Sequence, residues 1–208
     1  MHPAEQFVER DRAALAHLID EVGFGVVVGC GPAGPLAAHA PVLLHQGRAR
    51  FHLAASNSLS EVLRDTHQTA LVVITGPDTY VSPDWYGAPD QVPTWNYLSA
   101  EIEGTVRVTD RIATAALLDD LAARFEAALA PKPPWSRTKM APGRFEAMLG
   151  AIVGFEIEII RLEGVRKLSQ NKTSAQMEGV ATALAASSSD RARQIGLLMT
   201  QVARSRKD

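Results

Sequence analysis

The chain has 208 residues, with 21 basic and 23 acidic side chains, a formal net charge of -2 and 46% hydrophobic residues. That is an ordinary globular composition; it gives no global pull toward nucleic acid or anionic lipid, and no apolar run approaches the roughly 20 residues of a membrane-spanning helix. A single cysteine, Cys30, forbids an internal disulfide and fits a reducing cytoplasm, and the opening Met1–Arg10 lacks the basic and apolar segments of a secretory leader.

Taken in order, the chain opens with a helix. Asp11 is placed to cap it, Leu15, Leu18, Ile19 and Val22 form one apolar stripe, and Gly23 ends it. Phe24–Cys30, Leu36–Leu44 and Ala49–Ala54 read as strands joined by tight turns at Gly31–Pro35 and Gln46–Arg48, an antiparallel meander. Ser56–Thr66 reads as a short helix capped by Ser58, with Glu61 completing a capping box. Ala70–Thr75 is a fourth strand, followed by a loop rich in proline and aromatics from Gly76 to Tyr86. Thr94–Thr109 is a long strand, and Asp110 caps a helix reaching about Leu129. Arg144–Leu149 is a short helix and Val153–Leu162 the last strand, with Val153, Phe155, Ile157 and Ile159 on one face. The end of the chain is helical, with a stripe of Ile195, Leu198, Met199 and Val202. No alternating strand–helix rhythm demands a parallel sheet. The expected fold is α+β: a six-stranded antiparallel barrel with helices at its openings.

The histidines His2, His17, His39, His45, His52 and His67 have no spacing that holds a metal, so no metal site is expected. Cys30 reads as a small buried hydrophobe. Three segments carry chemistry. His39 interrupts the apolar stretch Ala38–Pro41, which by itself reads as a satisfied core histidine. Trp95, Asn96 and Tyr97 could wall and hydrogen-bond a planar heterocycle, or could be core packing around one polar group. Lys167–Lys172 gathers two lysines, two amides and a hydroxyl that could cradle a phosphate, or could form a solvated loop capping the next helix.

The stretches Gly76–Tyr86, Val92–Tyr97, Leu162–Gly164 and Lys167–Lys172, with Phe24-Gly25, His39–Pro41 and His52, resemble the PaiB family over about residues 1–184. The resemblance implies an FMN-binding split barrel like those of flavin reductases and pyridoxamine phosphate oxidases. Such proteins are usually cytoplasmic homodimers with FMN at the subunit interface, and the family carries the description of negative transcriptional regulators. It also implies a barrel domain over 1–172 and a helical extension over 173–208, packed on the barrel or on the dimer partner. Residue by residue, the backbone at Ala38–Ala40 would run along the isoalloxazine with His39 beside it. His52, Ala54 and Asn57 would lie in the loop approaching flavin and phosphate. Trp95 and Asn96 would meet the ring edge, and Lys167, Gln170 and Asn171 would complete the pocket. Flavin does the chemistry in this fold, and no residue shows an acid–base role of its own.

Departures from the family pattern bear on affinity. Where the family reads His-x-Ala-Arg-Ala-Asn-Pro-x-Trp, this chain has Ala55 for the arginine, Ser58 for the proline and Ser60 for the tryptophan; Glu101 and Val165 replace a histidine and a lysine. Each of the three charge changes removes positive charge or adds negative charge, so the expectation is weak FMN binding or a changed ligand. Other readings are a flavin-dependent oxidoreductase, a barrel that has exchanged FMN for haem, and a DNA-binding repressor. The last has only Arg191, Arg193, Arg204, Arg206 and Lys207 as a basic feature, which also reads as a solvated helix end.

Overall fold

The computed structural model describes residues 4–65 and 68–206. Contacts divide the chain into two units: a meander unit of Ile19–Ile74 and Glu101–Leu162, and a terminal unit of Met1–Leu18, Thr75–Ala100 and Glu163–Asp208. The strands are β1 Val8–Glu9, β2 Phe24–Gly31, β3 Gly34–His45, β4 Arg48–Ala54, β5 Thr69–Val81, β6 Thr94–Val108 and β7 Ile152–Lys167. The helices are α1 Arg12–Val22, α2 Ser58–Leu63, α3 Arg111–Ala127, α4 Arg144–Leu149, α5 Ser174–Ala185 and α6 Asp190–Arg204. Among the described residues no helix is long and apolar enough to cross a membrane.

The strand order is β1-β7-β4-β3-β2-β5-β6, and β6 also pairs with β7. The sheet is antiparallel as expected but has seven strands rather than six, the two-residue β1 pairing with β7 as the extra one. Every pair with a defined register is antiparallel.

In the meander unit, Phe24 opposes Pro41, Val42 opposes Phe51 and Phe51 opposes Phe155. The β3–β4 turn has positive φ at both Gln46 and Gly47, the backbone twist that suits a two-residue hairpin. Val27, Phe51, Val72, Ile74, Ile102, Phe155 and Ile157 form the buried face, where the rings of Phe51 and Phe155 stack 5.3 Å apart. The other face of β4 carries Arg50, whose guanidinium bonds Asp120 of α3 at 2.7 Å. Asp110 caps α3 as expected, accepting from the Ala113 amide at 2.7 Å.

In the terminal unit, Val8 pairs with Val165 and Glu9 with Gly164. The α5–α6 hairpin supplies Met177, Val180, Leu184, Ile195 and Met199 to a core that also holds Val81, Tyr86 and Leu168. Tyr86 ends a 3-10 turn, Pro83–Tyr86, capped by Ser82. A Cβ at Gly179 of α5 would stand 2.6 Å from the Trp85 carbonyl oxygen, so glycine there is what lets this turn seat on the helix.

Several expectations are corrected. Asn57, not Ser58, caps α2, accepting from the Leu59 amide at 2.9 Å; its expected end at Thr66 lies outside the described residues, as do His2, His67 and Lys207. β5 continues to Val81, because Thr79, Tyr80 and Val81 favour extended chain despite the preceding glycine and proline. β7 continues past the expected end at Leu162 to Lys167, because β1 pairs with Gly164 and Val165. Cys30 is exposed rather than buried, since Gly25, Val27 and Gly29 take the buried face of β2.

One close approach is a test of the β6–β7 pairing. A Cβ at Gly104 of β6 would lie 2.0 Å from the Glu158 carbonyl oxygen. Gly104→Ala should therefore lower stability by about 2 kcal/mol or more, read as a lower urea midpoint at unchanged slope.

Candidate functional site

Leu168 is fully buried among the helices of the terminal unit and draws the end of β7 inward. Ser169 then turns the chain in a left-handed conformation, φ +60°, which a non-glycine residue adopts only when its surroundings hold it there. The hold is visible. The buried Ser169 hydroxyl lies 2.9 Å from Tyr86 Oη and 3.0 Å from Asn96 Nδ2, and the same Nδ2 reaches Met199 Sδ at 3.3 Å. The Lys172 amide closes the turn on the Ser169 carbonyl at 2.9 Å.

This turn brings Lys167 and Lys172 to one cavity of about 150 Å³, with Thr94, Ser169 and Asn171 as its polar lining and Phe7, Tyr86 and Val92 as its apolar lining. Lys167 Nζ donates to Thr94 Oγ1 at 2.8 Å and stands 5.8 Å from the Phe7 ring centre. Lys172 Nζ donates to Gln91 Oε1 at 2.6 Å and stands 5.1 Å from the Tyr86 ring centre. Among the described residues both ammoniums have neutral hydrogen-bond partners only. Burial pushes the Lys167 pKa down, because the cavity wall removes water from a charge that no carboxylate compensates. Chemically, the arrangement offers two cations, hydroxyl and amide donors, and two rings beside them. A cavity of this size holds one ring or one phosphate-sized group.

The expected site residues fare differently. Lys167 and Asn171 line the cavity together. Gln170 does not reach it with a free amide: Oε1 accepts from the Leu168 amide at 2.7 Å and Nε2 donates to the Arg166 carbonyl, so the side chain braces its own loop. Asn96 is fully buried and spent on Ser169 and Met199. Trp95 points to the opposite face of β6, 52% exposed, edge-on to Tyr80 at 6.4 Å. Adjacent strand residues face opposite ways, so Trp95 and Asn96 do not act on one ligand from one side.

In the meander unit, His39 is exposed between buried Ala38 and Ala40, which overturns its reading as a core histidine. Its ring stacks on Phe24, 6.2 Å between centres and 21° between planes, and Phe24 is itself 51% exposed. The two form an open aromatic surface on the outward side of β2 and β3. His52 lies opposite Gly154, with Nδ1 buried and unbonded; burial pushes its pKa down and keeps the ring neutral near neutral pH. Ala54 is exposed at the end of β4, and the Ala55 amide bonds the Ala151 carbonyl at 2.8 Å. Glu101 is held by Arg161 at 3.1 Å, so its negative charge is compensated within the unit. Among the described residues, no three His, Cys, Asp or Glu side chains come together as a metal site.

Sequence reasoning missed Phe7, Tyr86 and Thr94 as lining residues, and it passed over Ser169 and Lys172 as individual site members. Tyr86 and Lys172 were marked by the segments that hold them. Phe7 carries no local signal, because only the pairing of β1 with β7 brings the chain beside it to Lys167.

Residues 1–161 match the family model described as "Putative FMN-binding domain". The chain is 25% identical to the protease synthase and sporulation protein PAI 2 of Bacillus subtilis over 96% of both chains. Among solved structures it is similar to the flavocytochrome Anf3 from Azotobacter vinelandii, with TM-score 0.63, 12% identity, and 80% of this chain and 72% of that one covered. It is also similar to the FAD and Heme binding protein from Mycobacterium smegmatis, with TM-score 0.57, 19% identity, and 77% and 73% covered. At these identities the structural likenesses show the fold alone.

Two outcomes follow from the buried polar groups. Asn96→Ala leaves the Ser169 hydroxyl short of a partner in the core and should lower stability by about 1–3 kcal/mol in urea unfolding. His52 resists protonation when folded, so the unfolded chain binds the extra proton. Stability should therefore fall as pH drops below the ordinary histidine value of about 6.5, and His52→Gln should flatten that part of the stability–pH curve.

Proposed function

The chain belongs to the PaiB-type family of FMN-binding domains, and from that premise we propose that it is a cytoplasmic, homodimeric flavin-binding regulator whose isoalloxazine lies against the outward face of β2 and β3. The observation that carries this placement is the exposed Phe24–His39 pair. A soluble protein gains little from leaving a stacked phenyl and imidazole open to water, and a flat aromatic ligand would cover both. Ala38 and Ala40 on the same strand turn their side chains to the buried face, so His39 alone of these three faces outward.

FMN fits the residues present. The aromatic surface suits its ring, His52 offers an unbonded ring nitrogen, and Ala54 and Asn57 border the loop expected to run beside it. When bound, FMN would supply one- or two-electron redox chemistry or serve as the sensed ligand. The protein's part is to bind and orient it. Neutral His52 can donate or accept one hydrogen bond without bringing a charge, and exposed Trp95 is free to meet the flavin of a partner subunit. A dimer completed in this way would lose flavin on dissociation.

For the regulatory role, the C-terminal arginines offer little direct nucleic-acid surface. Arg191 is bonded to Asp78 at 2.6 Å, Arg193 to Asp190 and the Ser187 carbonyl, and Arg206 to two loop carbonyls. Regulation through a flavin-dependent protein contact agrees better with these pairings than phosphate-backbone binding does.

Titration of the purified protein with FMN, followed by quenching of flavin fluorescence, should give saturable binding. His39→Ala should weaken it by about 10-fold, as loss of one aromatic contact does. Ala55→Arg should strengthen it by about 10- to 150-fold, the range of one charge-assisted hydrogen bond. A protein that ignores millimolar FMN contradicts the proposal. Light scattering should find the FMN-loaded protein as a dimer.

A further inference from the structure

The cavity beside Lys167 has features that ring binding on β2 and β3 does not use. Two ammoniums converge on a space of about 150 Å³ with only neutral hydrogen-bond partners. Several other cations of the protein are paired with carboxylates: Arg48 with Glu156, Arg50 with Asp120, Arg161 with Glu101 and Glu103, and Arg191 with Asp78. Two lysines left without carboxylates at one lined cavity are an unspent positive potential, and an anion is what would spend it.

The loop that carries them is also held ready. Ser169 is locked by Tyr86 and Asn96, and the Gln170 side chain braces the backbone just before it, at Leu168 and Arg166. From the end of α6, the Arg206 guanidinium donates to the Lys172 carbonyl at 3.1 Å and to the Gln170 carbonyl at 2.6 Å. Those bonds fix the backbone of Gln170–Lys172 and turn its carbonyl oxygens toward a cation rather than toward an anion in the cavity. A loop ordered before binding loses less entropy on binding.

We propose that Lys167, Lys172, Thr94 and Asn171 form a preorganised oxyanion site, taking the phosphate or carboxylate group of a small ligand, with Arg206 as its positioning residue. The cavity is too small to enclose a whole flavin, so the group bound there is either the phosphate end of FMN or the anionic end of a second small molecule. The choice between these rests on the flavin reading above. The existence of the oxyanion site does not.

The test uses the full chain, inorganic phosphate and FMN. Flavin-free protein should bind phosphate saturably by calorimetry at millimolar concentration or tighter. Lys167→Met and Lys172→Met should each weaken binding by about 10-fold or more, the loss expected for one charge-assisted contact. Lys167→Met should not lower the unfolding temperature in phosphate-free buffer, because burial of that charge opposes folding. Arg206→Ala should weaken phosphate binding while leaving the far-ultraviolet spectrum unchanged, and Arg206→Lys should restore part of the affinity. Mutual exclusion of FMN and phosphate identifies the oxyanion as the flavin's own, whereas simultaneous binding identifies a second ligand. Phosphate binding without FMN binding would overturn the flavin reading and leave the oxyanion site standing. No saturable phosphate binding, or binding indifferent to both lysine substitutions, overturns the oxyanion site.

Discussion

The Ser169 hydroxyl is the point on which the terminal unit turns. It joins Tyr86 from the 3-10 turn, Asn96 from β6 and the end of β7, and through Asn96 it touches Met199 of α6. Each group is buried, so each would be left unsatisfied if one withdrew. That mutual dependence holds Ser169 in a backbone conformation a serine would not otherwise keep, and the left-handed turn is what sends Lys167 and Lys172 to the same cavity. Chemistry at the surface is thus set by hydrogen bonds beneath it.

The meander unit follows a different logic. Its core is apolar and continuous, from Val27 and Val72 to the stacked rings of Phe51 and Phe155. Polar groups sit on the outward side of β4, where Arg50 meets Asp120 and His52 stays neutral with one nitrogen unbonded. Burying a histidine in this way is tolerable only uncharged, which makes it a group with spare hydrogen-bonding capacity rather than a structural tie. The Phe24–His39 pair is the reverse case: aromatic surface left in water where packing alone would have covered it.

The charge changes that set this chain apart from its family pattern have unequal consequences. Glu101 is compensated by Arg161, which also holds Glu103, so it adds little negative potential beyond its own neighbourhood. Val165 is buried opposite Val8, where a lysine would have to be accommodated in an apolar pairing. Ala55 alone removes a cation from a surface position without visible compensation.

Local chemistry was legible from the amino acids. Asp11 and Asp110 as helix caps, the Gln46-Gly47 hairpin turn, the alternation of Phe155 and Ile157 with Glu156 and Glu158, and the polar run from Lys167 to Lys172 all depend on neighbours within a few residues, and sequence displays those directly. The α+β class with a mostly antiparallel sheet was legible in the same way, though the sheet has seven strands rather than six. What only the tertiary structure decided were the relations between distant segments. Whether His39 is buried or open depends on which face of β3 is covered, and the residue type does not say. Trp95 and Asn96 part company because a strand sends neighbours to opposite sides, and which side holds the core is set by its partners. Phe7 comes to line a cavity with Lys167 because Val8 pairs with Val165 across most of the chain's length. Side-chain preference acts over a turn of helix or a hairpin, whereas burial and strand pairing are settled by the whole core at once.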